Sequence, residues 1–423
     1  MWESLKNIYT HKDLRNKILY ALGLLLIFRI LSHIPVPAVD LTELKSFFER
    51  NQLFGLLNLF SGGAMENFSI VMMGVGPYIT SSIIFQLLVM IVPSLEALQK
   101  EGEYGRQKIN QYTRIATVPL AIMQSYAMII LLKNQGIATS WNTFELISTL
   151  ITMSAGTILL MWLGELISEK GIGNGISLII CLGIIGGIPT ALQQTFSILD
   201  SSKIIGLIVF TVLALLVTAV IIIINEGERQ IPVTYARRIR GNKTYGGVNT
   251  HLPLKVNIGG VIPIIFALSM MIFPGVIAKF FQNARSETLV QIANFVSKLF
   301  EQNNSFYSIF YFIMVILFTF FYASVVFKPE QVAENLQKQG GFVPGLRPGG
   351  ETASYLQSVL MKITFIGAMF LGIIAVLPYI VQSVTNINSL VLGGTGILIV
   401  VSVVLETVRQ IRAQLVMRTY DQY

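Results

Sequence analysis

The chain has 423 residues, 53% of them hydrophobic and 12% charged, with a mean hydropathy of +0.67; that is too little polar surface for a water-soluble fold of this length, so the solvent is lipid. The formal net charge is +8, from 30 Lys and Arg against 22 Asp and Glu. In hydrocarbon every backbone amide must be paired internally, and the apolar stretches run for about 20 residues instead of alternating over about ten, which excludes a β-barrel and predicts an all-α integral membrane protein.

At the N-terminus Lys6, Lys12, Arg15 and Lys17 precede an apolar stretch over 18–31, as in a signal sequence. Arg29 and Ser32-His-Ile-Pro35 stand where a small-residue cleavage site would be needed, so the stretch reads as a retained first span. Ten spans are predicted, over 18–35, 73–92, 115–132, 147–167, 176–192, 204–225, 258–281, 309–327, 359–381 and 390–408. With the N-terminus inside, only Lys45, Arg50, Lys133, Lys203, Lys279, Arg285 and Lys298 fall outside, Arg29 lies within the first span, and the remaining Lys and Arg are cytoplasmic. Both termini are therefore expected in the cytoplasm.

Ten spans divide into halves of five, 1–200 and 201–423, and because five is odd a second half folded like the first would be inserted upside down. Between spans one and two, Leu53-Phe-Gly-Leu-Leu-Asn-Leu-Phe60 followed by Ser-Gly-Gly-Ala is apolar but too short to cross a bilayer. It either rests at the interface or folds back into a cavity, hinged at Gly62 and Gly63. The loops over about 226–257 and 328–355 are long, and the first carries Arg229, Arg237, Arg238, Arg240, Lys243 and Lys255, more charge than the positive-inside bias requires and suited to docking a partner.

Catalytic patterns are missing. His11, His33 and His251 fall near helix ends or loops, without HExxH, GxSxG or Walker neighbours, so the chain does not read as an enzyme, and no cofactor or metal is expected. Gly171-Ile-Gly-Asn-Gly175 mimics part of a dinucleotide fingerprint, but it follows a membrane helix and reads as a turn admitting close helix packing. The single Cys181 excludes an intrachain disulfide. Glu165, Glu169 and Glu406 lie towards span ends, which weakens an ion-coupled carrier and leaves open a carrier for neutral solutes. Span two carries Thr80, Ser81, Ser82 and Gln86, a polar stripe that serves either as packing glue or as a helix contact able to open to water.

Gly74-Val-Gly-Pro-Tyr-Ile-Thr-Ser-Ser-Ile-Ile-Phe-Gln-Leu-Leu88 and Leu163-Gly-Glu-Leu-Ile-Ser-Glu-Lys-Gly-Ile-Gly-Asn-Gly-Ile-Ser177 are similar to the two signature stretches of the SecY family. Thr250-His-Leu-Pro-Leu-Lys-Val-Asn257, Gly260-Val-Ile-Pro263, Gly341-Phe-Val-Pro-Gly-Leu-Arg-Pro348 and Gly393-Gly-Thr-Gly396 extend the resemblance over nearly the whole chain. It implies two inverted five-helix halves around an hourglass pore with a short plug helix, in the bacterial plasma membrane. The pore would carry unfolded secretory polypeptides across and release membrane segments sideways into lipid. The pore ring it implies is Ile79, Ile83, Ile176, Ile180, Ile265 and Ile399, where Asn in place of Ile399 would leak. The plug is Phe54, Gly55, Leu56, Leu57, Asn58, Leu59, Phe60, Ser61, Gly62 and Gly63, in a region reaching Met65. Lateral-gate candidates are Thr80, Ser82 and Gln86. The resemblance also implies SecE and SecG as small companions, signal sequences as ligands, and SecA or the ribosome docking at Arg237, Arg238, Arg240, Lys243 and Arg347. A neutral-solute carrier and an insertase scaffold without a through-pore remain the other readings.

Overall fold

A computed structural model describes residues 11–36, 44, 58, 61–134, 142–197, 204–235, 238–240, 243–245, 249–282, 286–300, 304–385 and 389–420. Each predicted apolar stretch is helical in its body. In chain order the elements are α1 (Lys12–Leu31), α2 (Gly76–Ile91), α3 (Pro93–Lys100), α4 (Glu103–Asn134), α5 (Thr143–Lys170), α6 (Gly175–Ser197) and α7 (Ile204–Glu226), then β1 (Glu228–Tyr235), β2 (Arg238–Arg240), β3 (Lys243–Tyr245) and β4 (Asn249–Lys255). They continue with α8 (Ile262–Phe281), α9 (Glu287–Leu299), α10 (Ser305–Val326), α11 (Pro329–Lys338), β5 (Gly341–Phe342), α12 (Gly350–Thr385) and α13 (Ser389–Tyr420). Among the described residues four helices are individually long and apolar enough to cross a bilayer, and a fifth span results when α2 is joined to α3.

Proline sets several boundaries. Pro93 has no N–H to continue the α2 ladder and forces Val92 into extended backbone (φ −99°, ψ 111°). The chain therefore bends by 98° between α2 and α3. α12 outruns its predicted span at the N-terminal end: its 36 residues reach about 54 Å at 1.5 Å per residue, beyond the ~30 Å hydrocarbon core. The excess packs on a sheet, through Leu356 in one cluster with Ile231, Leu254 and Val343.

The fold is mostly helical, as expected, and the two long loops carry a small sheet that was not expected from the sequence. β1 pairs antiparallel with β4, from Glu228 opposite Lys255 to Thr234 opposite Asn249, and with β5 through Thr234 opposite Phe342 and Tyr235 opposite Gly341. The two long loops are thus one three-stranded unit, ordered β4-β1-β5. The buried side chains of β1, Ile231 and Val233, alternate with an exposed Pro232 at the two-residue period of a half-buried strand.

The helices form two connected groups. α1 packs on α5 and α6, and α2 on α4 and α5; α8, α10, α12, α13 and α7 form a second chain of neighbours. The groups meet along two seams, α6 with α13, and α2 and α4 with α8. A buried polar knot ties the sheet-bearing end of the second group. Asn257 Nδ2 donates to Asn225 Oδ1 at 2.8 Å and to Gly260 O at 3.1 Å, and Asn225 Nδ2 donates to Ser402 Oγ at 3.0 Å. The Arg409 guanidinium donates to the Asn225 carbonyl. Asn257→Leu would strip Asn225 Oδ1 of its donor in a site excluded from water, and is expected to cost about 1–3 kcal/mol. Thermal unfolding of the purified protein in detergent checks this; an unchanged midpoint would show the knot to be idle.

Candidate pore and its closure

Ile79 on α2, Ile180 on α6 and Ile265 on α8 line one cavity of about 60 Å³. It is completed by Ser61, Met65, Met73, Val75, Gly76, Leu268 and Ser269. Three elements from both helix groups therefore aim branched aliphatic side chains at one small space, and the chain returning from the loop after α1 covers it with Ser61 and Met65. Ile83 and Ile399 are buried in the hydrophobic cluster that surrounds Ile180 and Ile265, without bordering the cavity. Ile176 is half-buried against the same cluster and faces α5, with its Cδ1 2.4 Å from where a Cβ on Gly164 would sit. Met73 and Leu268 were not singled out in the sequence, because unbranched and γ-branched apolar residues in a membrane chain carry no local mark of a cavity.

Of the predicted plug, Phe54, Gly55, Leu56, Leu57, Leu59 and Phe60 lie outside the described residues. The remaining part is a knitted turn. Asn58 Nδ2 donates to Glu66 Oε2 (2.9 Å) while Asn58 Oδ1 accepts from Glu66 N (3.0 Å). Ser61 Oγ donates to Asn58 O (2.9 Å) and accepts from Met65 N (3.2 Å). Gly62 and Gly63 have φ of +73° and +81°, the left-handed region where glycine is unstrained. At Gly62 the missing side chain also admits close contact: a Cβ there would lie 3.0 Å from Gly183 Cα and from Phe28 Cζ. Gly62 O accepts from Arg29 Nη1 at 2.8 Å, and Arg29 Nη2 reaches Gly186 O at 3.3 Å. The segment then returns beside the end of α1, where Val36 N donates to Phe68 O (2.8 Å) and Ile70 N to Ile34 O (3.1 Å).

The polar stripe of α2 splits between two partners. Thr80 Oγ1 donates to Gly76 O at 3.1 Å and receives Gln124 of α4 at 3.5 Å, and Ser81 Oγ donates to Thr113 O of α4 at 2.8 Å. These two bind α2 to α4. Gln86 Nε2 donates to Ser82 Oγ at 3.1 Å, leaving Gln86 Oε1 buried with no hydrogen-bond partner. Beyond α2, Lys328 Nζ donates to Gln99 Oε1 at 2.8 Å, linking the two helix groups. Nearby, a hydrogen bond from Lys100 at 2.7 Å pulls the exposed Glu96 carboxyl below the usual carboxylate range.

Among the basic candidates, Arg237 lies outside the described residues. Arg238 and Arg240 lie on β2 and Lys243 on β3, with Arg240 paired in register opposite Lys243 at the end of the hairpin. Arg347 is exposed, while its backbone is fixed by Thr352 Oγ1 donating to its carbonyl (2.8 Å) and Glu351 Oε2 accepting from its N–H (3.3 Å). The turn presents an exposed guanidinium on a held backbone.

The SecY family model matches residues 69–408. The chain is 42% identical over 431 residues to the protein translocase subunit SecY of Halalkalibacterium halodurans, covering 99% of both chains. It is 41% identical over 434 residues to the subunit of that name from Mycobacterium tuberculosis, covering 97% of this chain and 96% of the relative. In fold it resembles a solved protein-conducting channel, with a TM-score of 0.64 at 18% identity over 95% of this chain and 93% of that one. It also resembles Sec61 in the canine ribosome–channel complex from the endoplasmic reticulum, with a TM-score of 0.61 at 18% identity over the same shares of each chain.

Proposed function

We propose, since the chain belongs to the SecY family of protein translocase subunits, that the cavity between α2, α6 and α8 is the shut constriction of its polypeptide path. The protein is a multi-pass membrane channel subunit that conducts polypeptides, and is not itself an enzyme. The observation that carries the assignment of the path is the convergence of Ile79, Ile180 and Ile265 from both helix groups beneath Ser61 and Met65. A narrow aliphatic ring disfavours water and ions yet offers a passing chain no hydrogen bond to hold it. Ile83, Ile176 and Ile399 complete the ring when the helices part, and residues 54–65 form the plug.

The seam of α2 with α8 is the lateral gate. The Ser82–Gln86 pair and the orphan Gln86 Oε1 support this, because a contact that already contains polar groups opens to water at lower cost than hydrocarbon does. Signal sequences and membrane segments leave through it into the bacterial plasma membrane, with both termini of the chain in the cytoplasm, the side richer in Lys and Arg. SecE and SecG are its small companions. SecA or the ribosome docks on the β1–β5 sheet side through Arg237, Arg238, Arg240, Lys243 and Arg347, where cationic side chains attract acidic protein patches and RNA phosphates alike.

The deciding experiment reconstitutes the chain with its small membrane partner in sealed liposomes, with SecA, ATP and a secretory precursor. ATP-dependent protease protection of the precursor that vanishes without this chain supports the path; no protection with active SecA and folded channel restores the carrier and scaffold readings. In the same assay Arg347→Glu is expected to lower transport about tenfold to a hundredfold, the loss of one or two charge-assisted contacts. The resting ion seal should be unaffected, since Arg347 is not among the residues that line the cavity. Full transport by Arg347→Glu would remove this residue from docking.

A further inference from the structure

Arg29 stands in the last turn of α1 among exposed apolar side chains, Leu26, Ile27, Ile30 and Ile34, a charge in an otherwise apolar setting. Its helix does not need it as a cap. The end of α1 is closed by Ser32 N to Phe28 O, His33 N to Ile30 O and Ile34 N to Leu31 O, with Ser32 Oγ on the Arg29 carbonyl. The guanidinium instead leaves its own helix and donates to two carbonyls of other elements, Gly62 on the closing segment and Gly186 on α6. Both acceptors are glycines, and at each the missing side chain leaves room for the contact. A Cβ at Gly186 would lie 2.6 Å from Arg29 Nη1 and 2.7 Å from its Cζ, and one at Gly62 would strike Phe28 and Gly183. Among the described residues no carboxylate pairs with Arg29, and its guanidinium hydrogen bonds there go to neutral carbonyl dipoles.

That arrangement suits a bond made to be broken. A carboxylate partner would lock the segment by a desolvated ion pair. A carbonyl on the moving part and a second on the fixed helix let the segment leave while the guanidinium keeps one partner and stays poised for return. We propose that Arg29 is the latch of the closed channel: it binds Gly62 to α6 when the segment 61–65 seals the cavity and releases it when the path opens. The proposal rests on the reading of that segment as the plug. Arg29 is a positioning residue and does not touch the translocating chain.

Ser61, a buried residue of the segment itself that borders the cavity, reports the seal. In a Cys181→Ala background, Ser61→Cys carries the only thiol, and a membrane-impermeant maleimide added on the outer side of reconstituted complex measures how often the segment lifts. Arg29→Met is expected to label about tenfold faster than its parent, as for loss of one charge-assisted hydrogen bond, with ion leak rising in parallel. Precursors with defective signal sequences should then be transported. Gly186→Ala keeps the charge but pushes the guanidinium off α6, and is expected to speed labelling as well, which decides the matter should Arg29→Met fold poorly. Parental labelling rates in both variants, with or without a lower melting temperature, overturn the latch while the wild type still moves precursor. Failure of the wild type to move precursor at all overturns the channel path on which the latch depends.

Discussion

Ile180→Asn is expected to raise the resting ion permeability of the reconstituted channel about tenfold to a hundredfold. Ile180 is only 1% exposed and faces the cavity between α2, α6 and α8. Its replacement removes about 1.5–3 kcal/mol of apolar burial, and each 1.36 kcal/mol is a factor of ten. The amide that replaces it must find partners, and the cavity supplies only the hydroxyls of Ser61 and Ser269 among its side chains. Water is the remaining partner, so the constriction wets. Ile265→Asn should act alike, since Ile265 lines the same space. Ile399→Asn should leak less and destabilise more, because Ile399 is fully buried and does not border the cavity. Conductance in planar bilayers separates the three. Equal, unchanged leak in Ile180→Asn and Ile265→Asn would show that the cavity is ordinary core.

The second large effect is on folding. A Cβ added at Gly175 would lie 1.9 Å from the Gly164 carbonyl oxygen, 2.7 Å from its carbon and 2.8 Å from Ile167 Cβ. The obstacle is backbone of the preceding helix, which no rotamer change relieves, so Gly175→Ala is expected to cost about 3 kcal/mol or more, the upper end of overpacking. The measurement is the fraction of monodisperse protein recovered in detergent and its unfolding midpoint. The Gly171-Ile-Gly-Asn-Gly175 turn thus holds α5 against α6, with Ser168 Oγ accepting from Gly175 N at 2.8 Å and Asn174 Oδ1 accepting from Ser177 N at 3.1 Å. Those bonds use the donors that a dinucleotide would require. Added nucleotide should leave the midpoint unchanged, whereas a nucleotide-dependent rise would revive the fingerprint.

Hydropathy made the bodies of the spans legible because lipid leaves the backbone a single local solution: the apolar cores of the helices at 76–91 and 350–385 follow from apolar length, while the start of the first at Gly76 and the extension of the second to Gly350 do not. The β1 strand was also within reach, since Ile231 and Val233 alternate at period two, but the basic residues around it drew attention to charge and away from pattern. Its union with β5 was not, because Tyr235 and Gly341 are paired across more than a hundred residues by the packing of α12.

The isoleucines make the same division in the site. Composition determines that this chain lives in lipid, and its motifs determine its family, because both are summed over many residues and neither needs to know which way a side chain points. Nothing local distinguishes Ile180, on the cavity, from Ile83, in the core, or Ile176, turned to α5; all are branched alkyl groups on apolar helices. The same holds for Arg29, whose charge was conspicuous in the first span while its acceptors, two glycine carbonyls 33 and 157 residues away, carry no side chain for a sequence to display. Only the tertiary structure decided which groups face one another, since helix rotation and crossing are set by the summed close packing of both helix groups.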